Sequence, residues 1–151
     1  MTNDIRNACK KAAEKIKSYP KYTKVRVVSH YDADGITSAA IICKTLYRAG
    51  YNFHATLMRN PFDKGLDRVS KENNEIVIYS DMGSGQIETI EEMKNDSIIL
   101  DHHQPHKKET NDNVIQINCN HFGINGNYEA CGATISYLFS KEIKKKNTDL
   151  L

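Results

Sequence analysis

The sequence carries no excess of one charge: 21 basic residues stand against 19 acidic ones, a formal +2. A balance this close to neutral sets up no broad basic field, so non-specific attraction to nucleic acid or to an anionic membrane is excluded as a property of the whole surface. Phosphate must be recruited locally or not at all. Long apolar runs are missing as well. No stretch approaches the roughly 18 residues of a membrane span, and the opening MTNDIRNACKKAAEKIK lacks the apolar core of a secretory leader, which points to a cytoplasmic protein with no membrane partner. The four cysteines, Cys9, Cys43, Cys119 and Cys131, form no C-x-x-C pair, so neither a disulfide framework nor a zinc ribbon is indicated. There is no G-x-x-x-x-G-K-[ST] and no G-x-G-x-x-G, hence no nucleotide cradle of either kind. Internal repeats, low-complexity segments and flexible linkers are absent too.

What remains is 151 residues, one domain's worth. A chain of this length buries roughly 68–70% of the surface its unfolded form exposes, so its core needs no structural metal, and any metal it binds is there for function.

Apolar residues at three- and four-residue steps predict a helix carrying Ile5, Ala8, Cys9, Ala12, Ala13 and Ile16 and ending before Pro20. A strand is expected at Lys24–Ser29 and a helix at Ile36–Ala49, closed by Gly50. Further strands are expected at Asn52–Met58, Glu75–Ser80, Ser97–Leu100 and Val114–Ile117, with helices over Phe62–Lys71, Ile87–Met93 and Ala133–Lys144. Strand alternating with helix argues for an α/β fold, a mostly parallel five-stranded sheet with helices on both faces, because parallel strands need crossover connections and are buried on both sides.

In open sheets of that kind ligands bind outside the carboxyl ends of the strands. After the first strand stands His30-Tyr31-Asp32-Ala33-Asp34-Gly35, after the third Asp81-Met82-Gly83-Ser84-Gly85, and after the fourth Asp101-His102-His103. Carboxylates crowded at one sheet edge repel and raise one another's pKa unless cations sit among them. An oxygen and imidazole donor set without thiolate suits manganese or magnesium better than a structural zinc, with iron and cobalt left open. One carboxylate shared between two ions about 3.5–4 Å apart is the usual clamp for phosphoryl chemistry, and Asp81 is the natural bridge. Asp32 and Asp34 are read in a loop that aims both at one region, and the expected helix start Ile36-Thr37-Ser38 offers unpaired N–H groups as an anion seat. Gly83 and Gly85 let backbone approach a phosphate.

These residues resemble the DHH phosphoesterase superfamily, named for the triplet present here as Asp101, His102 and His103. SHYDADGITSAA (Ser29 to Ala40), SDMGSG (Ser80 to Gly85) and LDHHQP (Leu100 to Pro105) are similar to the family's first three motifs, in order, and QINCNHFGINGNYEACGATISYLF (Gln116 to Phe139) is similar to a stretch of its archaeal RecJ-like branch. The resemblance implies a manganese-dependent phosphodiesterase, a single-strand exonuclease acting on DNA or RNA by a two-metal mechanism. It implies Asp32, Asp34, Asp81 and His102 as ligands, with His30 added at a position often acidic in bacterial RecJ. His103 would contact the substrate phosphate, with Gly83 and Gly85 beside it, and Asp101 would orient the pair. It also implies a fourth motif and a second domain, both lacking between Met1 and Leu151, so that residues 1–151 read as the amino-terminal catalytic domain of a longer protein, weak or inactive alone. Two other readings belong to the same resemblance: a small phosphodiesterase acting on oligonucleotides or cyclic dinucleotides, and a non-catalytic replication scaffold that binds GINS.

Overall fold

Five strands, β1 (Lys24–His30), β2 (Asn52–Met58), β3 (Ile76–Ser80), β4 (Asp96–Asp101) and β5 (Val114–Asn118), form one sheet in the order β2-β1-β3-β4-β5. These come from a computed structural model that describes residues 3–59 and 64–150. Every pairing is parallel, which sharpens the mostly parallel sheet expected from sequence. The reason is burial on both faces. β3, Ile-Val-Ile-Tyr-Ser, is buried at every position, while β2, at the edge, is largely exposed.

Successive side chains of β1 serve opposite layers, as the two-residue period of a strand requires. Val25 and Val27 join Ile78, Leu100 and the inner faces of helices α1 (Asn3–Lys17), α2 (Ala33–Ala49) and α5 (Gly132–Ile143), through Ile5, Ile16, Ile42, Leu46, Ile135 and Phe139. Val28 joins Val77, Tyr79 and Ile99 on the other face, beneath α3 (Leu66–Ser70) and α4 (Ile87–Glu91). Helices therefore cover both faces. The start of the helix expected over Phe62–Lys71 lies outside the described residues, and its described part is α3. Among the described residues no helix is long and apolar enough to cross a membrane.

Among the described residues one cationic side chain is buried within this frame. Arg26, in the middle of β1, is held by Glu72 at 2.6 and 3.2 Å, by Thr56 Oγ1 at 3.0 Å and by the carbonyls of Val27 and His54. Its guanidinium is thereby satisfied, as a buried cation must be.

The strand order reverses direction at β1: its crossover leads to β2 on one side, and β3 lies on the other. A crevice opens at that switch point, outside the carboxyl ends of β1 and β3. The register then aligns the chemistry. Ser29 pairs with Ser80 and Ser80 with Leu100, so the next residues of the three strands, His30, Asp81 and Asp101, fall in one row. Beneath them Ser29 Oγ donates to the Ser80 carbonyl at 2.8 Å, and Ser80 Oγ donates to Ser29 Oγ at 2.9 Å, which ties β1 to β3 just below the row.

Candidate metal centre

The Asp-x-Asp pair is not in a loop. α2 begins at Ala33 rather than Ile36: Asp32 is its N-cap, accepting from Gly35 N at 2.9 Å, and Asp34 sits in the first turn. Capping by a short carboxylate is strongly favoured at this position and draws the following residues into the helix. Gly35 makes the early start sterically feasible, since a Cβ there would lie 2.1 Å from the His30 carbonyl oxygen. The expected anion seat is corrected by the same geometry. Ile36 N–H is spent on the Asp32 carbonyl at 2.9 Å, and the positive end of α2 faces carboxylates.

Asp81 is at the centre. It is 1% exposed, and its backbone lies in the left-handed region with φ 56°. Neither carboxylate oxygen receives a hydrogen bond, although His102 Nε2 stands 3.2 Å from Oδ1 and His30 Nδ1 stands 3.9 Å from Oδ2. Burial pushes its carboxyl up to about 6, with the Asp34 charge adding to the rise and the His102 contact opposing it. A buried acceptor left without a donor is costly. A cation between these groups removes that cost.

Two donor groups meet at Asp81: His30, Asp32 and Asp81 offer ligand atoms within 4.8 Å of one another, and so do Asp81, His102 and His103. Asp81 belongs to both, which is the arrangement a bridging carboxylate requires. The imidazoles are oriented for the task. His102 Nδ1–H donates to the Gly126 carbonyl at 2.6 Å and His103 Nδ1–H to Asp101 Oδ1 at 2.8 Å, so that Nε2 is the nitrogen each ring has left for a ligand once it is deprotonated. The contact with Asp81 raises His102 to about 9, and the hydrogen bond to Asp101 raises His103. A cation entering the site must therefore displace protons.

Asp101, the last residue of β4, lies in the floor of the crevice, 1% exposed, with its carboxylate taken up by protein donors. Its Oδ1 accepts from His102 N, His103 N and the His103 ring, and its Oδ2 accepts from Ser84 N at 2.9 Å. Burial opposes its ionisation, but the His103 ring and these backbone donors outweigh burial and hold it below the usual carboxylate range. It fixes both histidines and the turn after β3 together. His103 is half-exposed and opens onto a groove of about 350 Å³ lined by His30, Asp81, Gly83, Gly85 and His106, among others. Both expected glycines thus line the groove. Gly83 has φ 114°, a conformation that itself calls for glycine, and its N–H is taken by Gln86 Oε1 at 3.2 Å.

Asp34 has a position that spacing did not reveal. Its Oδ2 accepts from Gly132 N at 2.7 Å and its Oδ1 from Ala133 N at 2.8 Å, so it caps the start of α5 across 98 residues of chain. Its Oδ2 is also 3.5 Å from His102 Nε2, but it falls in neither donor group. Also unforeseen were the residues that hold the site in place. Asn118 Nδ2 donates to Ser84 Oγ and to the His103 carbonyl, both at 2.8 Å, and Asn120 Nδ2 donates to the His102 carbonyl at 2.9 Å. A Cβ on Gly132 would lie 2.7 Å from Asp81 Cβ and Oδ1, and one on Gly126 would lie 1.9 Å from the His102 carbonyl oxygen. The run of asparagines and glycines between β5 and α5 was the available signal. Asp149 lies apart from the centre, paired with Arg48 at 2.7 Å.

Residues 24–151 match the family model described as the DHH family, N-terminal domain. The chain belongs to the DHH family. It is 37% identical over 144 residues to an uncharacterized protein of Methanocaldococcus jannaschii, a match that covers 92% of this chain and 33% of that one. Among solved structures it resembles RecJ in complex with Mn²⁺ from Thermus thermophilus (TM-score 0.69, 20% identity, 95% of this chain and 21% of that one). It also resembles exonuclease RecJ bound to manganese (TM-score 0.71, 19% identity, 95% and 38%) and CDC45 from Entamoeba histolytica (TM-score 0.66, 21% identity, 98% and 30%). The chain spans about a third of the curated relative and less than two-fifths of each of these solved chains.

Proposed function

We propose that this chain is the metal-binding domain of a phosphodiesterase that hydrolyses single-stranded nucleic acid, with Mn²⁺ as its natural ion and Mg²⁺ as a substitute. The observation that carries the reading is Asp81, a buried carboxylate with no hydrogen-bond donor, shared by two donor groups at the crevice of a DHH-family sheet. The RecJ structures of the same fold, crystallised with manganese, support the choice of ion.

His30, Asp32 and Asp81 would hold one ion and Asp81 and His102 a second, with Asp34 beside His102, while His103, whose Nδ1 is held by Asp101, would keep its other ring nitrogen for the substrate phosphate. Bound there, the ions supply charge neutralisation at the phosphoryl group and a lowered pKa for water. Asp101 holds the His103 imidazole and the His102 backbone from behind, the Gly126 carbonyl orients the His102 ring, and the exposed edge of His103 meets the scissile phosphate in the groove along Gly83 and Gly85. Asp32 keeps its carboxylate ionised because the Gly35 N–H and His30 hold it below the usual range.

Calorimetric titration with Mn²⁺ tests the reading. Binding is expected for the wild type and is expected to be lost in Asp81→Asn, a substitution well suited to the left-handed backbone at that position. Mn²⁺ binding that is absent in the wild type, or undiminished in Asp81→Asn, refutes the site. Faster hydrolysis of a dinucleotide or cyclic dinucleotide than of a long single strand would refute the substrate.

A further inference from the structure

A metal centre grips phosphate wherever it occurs, and this chain has no basic field to favour a polyanion over a small phosphoester. Within this chain, preference for nucleic acid would therefore come from contacts with the bases. Two tyrosines beside the centre are placed for it. Tyr31 lies between His30 and Asp32 in the connection from β1 to α2, with its ring edge-on to the His30 imidazole, centroids 5.1 Å apart and planes at 82°. It is 49% exposed. Tyr128 is 89% exposed, two residues beyond Gly126, whose carbonyl accepts the His102 ring. The Tyr31 ring thus adjoins the His30 end of the donor row, and Tyr128 stands two residues along the chain from the carbonyl that holds the His102 ring.

Both rings stand on firm backbone. The Tyr31 connection is closed by the Asp32 cap, and the Gly35 carbonyl at its end lies 2.8 Å from Ser29 Oγ. The Tyr128 loop is closed on itself: Glu129 N donates to the Asn125 carbonyl at 2.8 Å, and Asn125 N to Glu129 Oε2 at 2.8 Å. Among the described residues neither tyrosine hydroxyl makes a hydrogen bond, and neither ring belongs to the core. An exposed aromatic ring outside the core, next to groups that would hold a phosphate, is a surface on which an unpaired base can stack.

Resting on the reading above, we propose that Tyr31 and Tyr128 are stacking platforms that seat unpaired nucleobases on the two sides of the phosphodiester held at the metal centre. A paired base has no free face to offer, so the two rings select single strands, and they accept any base because every base has a π-face.

The test compares phosphorothioate-linked oligo(dT), which resists hydrolysis, with an abasic polymer of the same length and linkage. Binding is followed by fluorescence anisotropy in the presence of Mn²⁺. The wild type is expected to prefer oligo(dT). Tyr31→Ala and Tyr128→Ala are each expected to lose about fivefold or more of that affinity with no change on the abasic polymer, and the double variant to bind both alike. Tyr31→Phe and Tyr128→Phe are expected to retain the preference, as is Tyr22→Ala, an exposed tyrosine (81%) ahead of β1 at the opposite edge of the sheet. Oligo(U) is expected to respond to each variant as oligo(dT) does. Unchanged Mn²⁺ titration shows that a variant has kept its site. Equal wild-type affinity for the two polymers, or a preference that survives in the double variant, overturns the inference alone. Failure of both polymers to bind overturns it together with the reading beneath it.

Discussion

Asp34→Asn in metal-free protein tests whether the second aspartate of the motif is a tie between helices as well as a ligand, because the two roles predict opposite signs. As a cap, Asp34 accepts from Gly132 N at 2.7 Å and from Ala133 N at 2.8 Å, and it faces the charged ring of His102 at 3.5 Å. An amide retains one acceptor and turns its NH₂ towards the other backbone N–H. One charge-assisted hydrogen bond is lost and a buried donor is left facing a donor. Losing a hydrogen bond to a charged group costs about 1.5–3 kcal/mol. Relief of the repulsion that the Asp34 charge exerts on Asp81 offsets part of that. A net loss of about 2 kcal/mol is expected, which lowers the urea midpoint by roughly 1 M for a slope near 2 kcal/mol/M. The assay is urea unfolding in chelator at neutral pH, followed by circular dichroism. If Asp34 were a ligand and nothing more, removing one carboxylate from an ion-free acidic cluster would stabilise the fold. A variant with an unchanged or higher midpoint therefore refutes the cap.

Gly132→Ala is expected to destabilise the fold by about 1–3 kcal/mol through overpacking, since its Cβ would lie 2.7 Å from Asp81 Cβ and Oδ1, and to weaken Mn²⁺ binding with it. Unchanged thermal midpoint and unchanged calorimetry would show that Asp81 yields freely. Glu72→Gln is expected to cost about 1–2 kcal/mol at neutral pH, because it removes the anionic partner of buried Arg26. The pH dependence follows from the sign of the shift. The Arg26 guanidinium holds Glu72 below the usual carboxylate range, so its contribution is full above the unfolded value of about 4.3 and is lost as pH falls through the lower folded value. The wild-type advantage over Glu72→Gln, measured by urea unfolding across pH, should shrink in acid. A constant difference would contradict the pairing.

How far the sequence could be read differs from residue to residue. The parallel sheet was legible because strands alternate with helices along the chain, and the apolar run of β3, buried at every position, agrees with it. The helix covering β1 was legible in type but displaced at its start, because Ile36 opens the apolar stripe while the structural start is set by the Asp32 cap three residues earlier. A periodic pattern sees the face of a helix and not its first turn. Asp34 shows the sharper limit. Its neighbours in sequence placed it at the sheet edge, but its partners lie almost a hundred residues further along the chain, on a helix whose approach no spacing encodes. Asn118, Asn120, Gly126 and Gly132 escaped for the same reason: each acts on backbone that comes near only in the folded chain.

By itself the sequence determined the chemistry and the order of its parts: three strands that end in carboxylates and imidazoles, no thiolate, and family motifs in succession. Residue types and a two-residue or 3.6-residue period are local properties, and local properties survive reading along a line. Tertiary structure alone decided that β1, β3 and β4 lie side by side in register, that Asp81 is buried without a donor between two groups, and that α5 is tied to α2 through Asp34. Those are consequences of which distant segments share a core. They depend on loop closure and packing, which are collective and leave no mark at any single position.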